Sequence, residues 1–475
     1  MRRMGTAQEE VGRIFARQRE NRWKVAQTSA RERVAKLSRL RDEIVKRREA
    51  LGKAMQQDFH KNPQEVELTE IHPTLAELKH SIEHLADWMR PERVDTPVTL
   101  MGARSEIRRE ARGVTAILAP WNYPFFLLFG PLIGAVSAGC CAVLKPSEKT
   151  RHTALVMKEI IGASFPEDEV ALLIGGHDLS DAMLDQPFDH FCFTGSTRIG
   201  RKIMEAAAKH LASVTLELGG KSPAVIDETA DVAVAAERVA FGKFINAGQT
   251  CVAPDYVLVH ASKERAFIEG VKGTVAKFYG ATEEARKSSE DFARLIDAAA
   301  FKRVSALLQG AVAAGAKVEC GGVTDEAERY VAPTVLSGVK RDSPIMQEEI
   351  FGPVLPVLTF QRRDEAVQQI RAGEKPLALY VFGDERAAEE VLRGTTAGGS
   401  CVNSAVLHLA NPDLPFGGVG HSGMGSYHGV HGFKAFSHER AVLVQELGSP
   451  VKFLYPPYSG KLRSWAAAAT RLLEK

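Results

Sequence analysis

The chain has 475 residues, of which 45% are apolar and 25% charged, and its 61 basic and 59 acidic side chains leave a formal net charge of +2. That length exceeds what one hydrophobic core organises, so two or three domains are expected. The balanced charge argues against nucleic acid as the main partner. Six cysteines, with no Cys-x-x-Cys pair and no zinc-ligand spacing, read as reduced buried thiols rather than a disulfide or metal framework. The start, Met1-Arg2-Arg3-Met4, leads into charged residues and not an apolar run, so no signal peptide is expected and the protein is placed in the cytoplasm.

In chain order, residues 29–58 carry Val34, Leu37, Leu40, Ile44, Leu51 and Met55 at helical spacing, opened by a Ser29/Glu32 capping box. The basic runs 39–41 and 46–48 read as the solvated face of that helix. A second helical stretch, about 70–89, carries Leu75, Leu78, Ile82 and Leu85. Residues 94–113 alternate Ile107 with charged neighbours and predict an extended hairpin, a candidate dimerisation arm. From Gly113 to Leu144 there is no charge, which is long enough for a membrane span. Pro120, Pro124 and Pro131, with Gly130, Gly134 and Gly139, divide the run into a strand at 114–118, a helix apolar all round at 125–137 and a strand at 141–144. It therefore reads as a buried β–loop–α–β unit.

Between Thr115 and about Ile226, strand candidates at 116–119, 142–145, 170–174 and 190–194 alternate with helical stretches. A second alternating block, about 224–410, has helices near 230–246, 262–279, 299–314, 363–372 and 385–393. This alternation predicts an α/β fold with parallel sheets covered by helices. Residues 414–432 are too glycine-rich for regular structure and predict a long ordered loop.

Four motifs carry chemistry. The strand at 191–194 runs into Gly195-Ser196-Thr197-Arg198-Ile199-Gly200, where glycines and a helix N-terminus suit a pyrophosphate, although the G-x-G-x-x-G spacing is absent and a plain tight turn accounts for it equally. Lys145 and Glu148 follow another strand and have the spacing to hydrogen-bond ribose hydroxyls, against the plainer reading of a surface ion pair. Glu217 lies among apolar residues beside two glycines, which suits a general base of raised pKa, unless it simply pairs with Lys221. Cys251 closes the run 244–251 just after a helical segment, where a thiolate would attack a carbonyl and a thiol would be an ordinary buried side chain.

These motifs converge. PWNYP at 120–124, KPSE at 145–148, FTGSTRIG at 193–200, ELGGKSP at 217–223, FINAGQTC at 244–251, QEEIFGP at 347–353 and LPFGGVGHSGMG at 414–425 resemble, in that order, the aldehyde dehydrogenases over nearly the whole chain. The contexts GHSGMGSYHG and GQTCVAPDYV are similar to the class 3 branch, the fatty-aldehyde and coniferyl-aldehyde type. The resemblance implies an α/β fold with a Rossmann-type NAD-binding domain (1–93 and 114–216) and an α/β catalytic domain (217–410). It adds a small β oligomerisation arm (94–113 and 437–450), a glycine-rich loop returning to the active site (411–436) and a tail (451–475).

The resemblance also assigns roles. Cys251 would be the nucleophile, Asn122 with the Cys251 N–H the oxyanion hole, and Glu217 the base that hydrolyses the thioester. Lys145 and Glu148 would hold the adenosine ribose, Gly195, Ser196 and Gly200 would flank the pyrophosphate, and Glu349 would hold the nicotinamide ribose, with Phe351 and Trp121 nearby. Tyr123, Leu127, Thr250, Val252 and the 404–413 loop would line the substrate funnel. The implied cofactor is NAD, with NADP possible. The implied substrate is a medium-chain aliphatic or aromatic aldehyde, the assembly a homodimer, with no metal and no transmembrane segment. A CoA-acylating relative is the alternative, but that branch generally lacks the glutamate at 217. One departure stands out: Tyr427 occupies the late loop where many members carry a second acidic residue.

Overall fold

The structure, a computed structural model, describes residues 6–446 and scattered positions between 455 and 471. The expected arm segment 447–450 and the first part of the expected tail, 451–454, lie outside the described residues.

The chain opens with a helix that the sequence reading passes over, Ala7–Ala26, capped by a Thr6/Glu9 box and burying Val11, Ile14, Phe15 and Val25. The single helix expected over 29–58 is two helices, Ala30–Lys46 and Arg48–Phe59. The Ser29/Glu32 capping box is present, and the break falls at Arg47, whose backbone (φ −112°, ψ 15°) leaves the helical region. The periodicity survives the break because both halves bury their apolar stripe in one core, with Leu37, Leu40, Ile44, Leu51 and Met55 fully enclosed. After one short helical turn, Pro63–Val66, the helix His72–Trp88 is entered through a π-helical turn, Glu67–Ile71.

That core lies on one face of a six-stranded sheet. Its order is Gly423–Met424, Ser213–Glu217, His190–Thr194, Val114–Leu118, Cys141–Lys145, Val170–Leu172. The five longer strands are parallel, and the two-residue strand adds an antiparallel rung. The charge-free run forms the predicted buried unit, with every residue of Val114–Leu118, Phe126–Ala138 and Cys141–Lys145 buried. No helix among the described residues is long and apolar enough to cross a membrane. The helices Ala7–Ala26 and Thr197–His210 cover the opposite face. From the central strand Val114–Leu118 the chain winds outward on one side, then crosses to His190–Thr194 on the other. Such a reversal leaves a crevice outside the carboxyl ends of the strands, where ligands bind in open α/β sheets.

The second block forms a seven-stranded sheet ordered Lys317–Cys320, Thr334–Ser337, Val354–Phe360, Tyr256–His260, Pro223–Ile226, Ala378–Phe382, Gly399–Val402, parallel except at its first edge. The 94–113 hairpin is an antiparallel pair, Glu92–Val94 with Ala103–Ala111. Ser437–Gln445, from the far end of the chain, adds a third strand along nine residue pairs.

The glycine-rich segment differs from expectation. Met424 and Gly423 pair with Leu216 and Glu217, and a helix, Gly429–Ala435, starts inside the expected loop. Glycine makes the rung possible, because a Cβ on Gly423 (φ +150°) would stand 2.3 Å from the Leu216 carbonyl oxygen.

Candidate active site

Cys251 follows the helix Val232–Phe244 and a tight turn, Ile245–Gly248, in which Asn246 (φ 52°) and Ala247 (φ 51°) are both left-handed. Non-glycine residues held there cost about 1–3 kcal/mol each and need strong surroundings. Gln249 supplies them. Fully buried, it donates to the carbonyls of Asn246 (3.0 Å) and Arg294 (3.1 Å) and accepts the Ile296 N–H (3.0 Å). The same loop holds Asn122. Its Nδ2 donates to the Gln249 carbonyl at 3.0 Å, and its own carbonyl accepts from Asn246 Nδ2 at 2.9 Å. Beside them the Tyr123 hydroxyl shares a 2.7 Å hydrogen bond with Thr250 Oγ1. Asn122 and Cys251, 129 positions apart, thus sit on segments stitched into one frame.

Burial raises the Cys251 thiol to about 12, and the carboxylates of Glu349 and Glu217 add to the shift. The resting nucleophile is therefore a thiol. Glu217 ends its strand deep inside the protein, 1% exposed. The ion pair with Lys221 does not form, because Lys221 Nζ bonds Asp255 Oδ2 (2.5 Å) and the carbonyls of Ile345 (3.0 Å) and Glu348 (2.7 Å). Neither Glu217 oxygen has a hydrogen-bond partner of regular geometry. Burial pushes its carboxyl well above the ordinary range, and the Gly418 N–H offsets that only in part.

The residues expected to hold a cofactor gather at the carboxyl ends of the six-stranded sheet. Lys145 is buried rather than on the surface, its Nζ 3.5 Å from Glu148 Oε2 and its charge disfavoured by desolvation. A Cβ on Gly195 would lie 2.4 Å from Phe193 Cζ, so the Phe193 ring packs against this glycine. Ser196 caps the helix Thr197–His210. Gly200 lies inside that helix against Leu218, where a Cβ would come within 2.6 Å of Cδ2, so its placement is one of helix–sheet packing. Glu349 lies against Gly219, where a Cβ would meet Oε2 at 2.1 Å. Burial and the neighbouring Asp255 carry its carboxyl to about 8. Phe351 meets Trp121 edge-on at 5.5 Å.

A cavity of about 660 Å³ opens on Cys251. Tyr123, Leu127, Thr250 and Val252 all line it, as does the 404–413 loop through Val406, Leu407 and Leu409. Sequence reasoning misses the wall formed by Asn62, Glu65, Leu68 and His72. It also misses Lys61, fully buried, with Nζ 3.4 Å from Glu70 Oε1 and 3.9 Å from the centre of the Tyr123 ring. Glu70 in turn accepts the N–H groups of Phe125 (3.1 Å) and Phe126 (2.9 Å), bracing the turn that carries Asn122. Nothing in the local pattern around Lys61 distinguishes it from a solvated lysine.

The model of the aldehyde dehydrogenase family matches residues 3–442. The chain is 44% identical over 411 residues to 4,4'-diaponeurosporen-aldehyde dehydrogenase of Staphylococcus aureus, covering 86% of this chain and 88% of that one. It is 41% identical over 430 residues to human aldehyde dehydrogenase family 3 member B1, covering 90% of each. Among solved structures it is similar to the substrate-bound state of Staphylococcus aureus AldH, with a TM-score of 0.91, 41% identity and coverage of 96% and 99%. An indole-3-acetaldehyde dehydrogenase in complex with NAD+ superposes with a TM-score of 0.84 at 28% identity, covering 92% of this chain and 89% of that one.

Proposed function

The chain belongs to the aldehyde dehydrogenase family, an oxidoreductase acting on aldehydes, and from that premise we propose that it oxidises an apolar aldehyde with NAD through a thioester on Cys251. The observation that carries the reading is the frame around Gln249, which holds Asn122 beside the cysteine loop at the mouth of an apolar cavity, with the unpaired Glu217 behind it. The Cys251 thiol gives up its proton to water in the cavity on which it opens, and Sγ attacks the aldehyde carbon as the thiolate. The Asn122 amide and the Cys251 N–H receive the oxyanion, preorganised donors worth about 3–4 kcal/mol each in related chemistry. Water activated at Glu217 then hydrolyses the thioester, with the acid as product.

The residues present fit a dinucleotide. A buried ammonium whose contacts reach only 3.5 Å (Lys145), the glycine turn at Gly195 and a capped helix N-terminus converge on the crevice. When bound, NAD supplies the hydride acceptor and a positive charge near Cys251. Lys145 and Glu148 would hold one ribose and Glu349 the other, with Ser196 at the pyrophosphate and Trp121 and Phe351 at the nicotinamide end. In this reading the six-stranded unit carries the cofactor and the seven-stranded unit the nucleophile. Glu148 accepts from a free 2′-hydroxyl and repels a 2′-phosphate, which favours NAD over NADP.

Phe126, Leu127, Phe241, Val406 and Phe416 give the cavity an apolar lining suited to medium-chain aliphatic or aromatic aldehydes. The free cysteines fit the reducing cytoplasm. The test follows NADH formation across a panel of aldehydes with and without CoA. Turnover of apolar aldehydes without CoA is expected, and strict dependence on CoA would move the protein to the acylating branch.

A further inference from the structure

The segment that carries Glu349 has little regular structure to satisfy its own backbone. The short helix Pro344–Gln347 gives way to an extended Glu348, Ile350 is fully buried, and Phe351 is left-handed (φ 45°). Buried main-chain groups outside a helix or sheet need partners from elsewhere. Three charged side chains from three other segments supply them. Lys221 Nζ donates to the carbonyls of Ile345 (3.0 Å) and Glu348 (2.7 Å). Arg303, from the helix Ala298–Ala313, donates through its fork to the carbonyls of Glu349 (2.9 Å) and Ile350 (2.7 Å). Asp255 Oδ1 accepts the Ile350 N–H at 2.9 Å. Hydrogen bonds in which one partner carries a full charge are the stronger ones.

Two of these side chains come from segments that frame the reaction. Lys221 belongs to the linker 218–222, which joins the strand Ser213–Glu217 of the six-stranded sheet to the strand Pro223–Ile226 of the seven-stranded sheet. The Glu349 carboxyl lies on that same linker: a Cβ on Gly219 would stand 2.1 Å from Oε2, and the Gly220 N–H bonds to the carboxyl. Asp255 follows Cys251 in the same loop. Its N–H donates to the Ser222 carbonyl at 2.7 Å, and its Oδ2 takes Lys221 Nζ at 2.5 Å. The far end of the Glu349 segment also meets the cysteine loop, since a Cβ on Gly248 (φ +75°) would stand 2.3 Å from the Gly352 carbonyl oxygen. Asp255, 3% exposed, therefore joins the loop of the nucleophile, the linker and the segment of Glu349.

We infer that Lys221, Asp255 and Arg303 are positioning residues that fix the distance between Glu349 and Cys251, and so set the rate of hydride transfer. The inference rests on the reading of Glu349 as the residue that holds the nicotinamide ribose. In the hydride step the adduct carbon on Cys251 gives up its hydrogen with the electron pair to the nicotinamide, and the oxyanion's electrons re-form the carbonyl of the thioester. The aldehyde carbon is oxidised and the nicotinamide reduced. Reacting atoms must be held near contact, and a misplacement of about 1 Å costs about a hundredfold in rate. Because the clamp ends on main-chain atoms, it fixes the segment without occupying the Glu349 carboxyl.

The test compares Asp255→Asn, Arg303→Lys, Arg303→Met and Glu349→Gln with the wild type. It uses thermal melting of the cofactor-free proteins, calorimetric NAD binding without aldehyde, and the first-turnover burst of NADH from an aldehyde and its deuterated form. Asp255→Asn keeps the shape of the acceptor without the charge that holds Lys221, and Arg303→Lys keeps the charge without the fork. Both are expected to bind NAD with affinity little changed and to transfer hydride about tenfold or more slowly. A primary deuterium effect should appear on their bursts, and Arg303→Met should be slower than Arg303→Lys. Bursts and isotope effects equal to wild type in all three overturn the clamp. So does a slow burst that saturating NAD restores to the wild-type rate, or a lowered melting temperature with a normal burst from the folded protein, which marks a structural role. If Asp255→Asn does not fold, the two Arg303 variants decide alone. Glu349→Gln separates the readings. If it binds NAD and transfers hydride as the wild type does, Glu349 is not at the ribose; if it is impaired while the clamp variants match wild type, only the clamp fails.

Discussion

At the residue scale, Cys251 shows how far chemical type and environment can disagree. A cysteine with this role works as a thiolate, yet burial and the carboxylates of Glu349 and Glu217 push its thiol to about 12. The pH dependence has a definite sign. Below that value the neutral form dominates, so alkylation of the cofactor-free protein should rise about tenfold per pH unit through the neutral and mildly alkaline range without a plateau. A cationic nicotinamide nearby favours the thiolate, so saturating NAD should raise the rate near neutrality and bring a plateau to lower pH. Iodoacetamide kinetics with mass-spectrometric assignment, using Cys251→Ala as the blank, measures this. An NAD-independent profile would remove the cofactor from the activation of Cys251. Cys140, Cys141 and Cys192 are buried and do not line the cavity, and the mass-spectrometric assignment separates the partly exposed Cys320 and Cys401 from Cys251.

At the level of elements, the site depends on a strained turn and the strut beneath it. Gln249 is read from the sequence only as a letter in FINAGQTC, but its side chain ties the turn to Ile296 and Arg294, and its carbonyl orients Asn122. Gln249→Ala removes three buried hydrogen bonds and leaves their partners unpaired, an expected loss of about 2–4 kcal/mol in stability. Thermal and denaturant melts read that loss. Because the turn that presents the Gln249 main-chain carbonyl to the Asn122 amide loses its side-chain strut, kcat should fall further than KM rises. A variant with wild-type stability and kcat would show the strut to be dispensable. Helix boundaries illustrate the same limit. Hydrophobic spacing over 29–58 predicts helix, and helix forms, but the break at Arg47 has no proline or glycine to announce it.

Across the whole molecule, the strands Glu92–Val94, Ala103–Ala111 and Ser437–Gln445 make a sheet apart from the two large ones, with Ser437–Gln445 at its edge and Leu443 52% exposed. Among the described residues no further strand pairs with the outer side of residues 437–444, and a sheet edge of this length invites pairing with another copy. Sedimentation velocity should show a homodimer, and Leu443→Arg should shift it toward monomer; a monomer at every concentration would rule out the arm as an interface.

The sequence by itself determined the α/β alternation, the buried unit at 114–145, the family resemblance and the identities of Cys251, Glu217 and Asn122 as candidates. Those signals are local: apolar periods, proline and glycine punctuation, and contiguous motifs. Only the tertiary structure decided that Lys221 pairs with Asp255 and leaves Glu217 unpaired, that Lys61 and Glu70 brace the turn of Asn122, and that Asp255 joins the cysteine loop to the segment of Glu349. Those outcomes join residues tens to hundreds of positions apart. The reason is physical: a side chain's charge state and partners follow from which distant segments exclude water around it, and no local pattern encodes that exclusion.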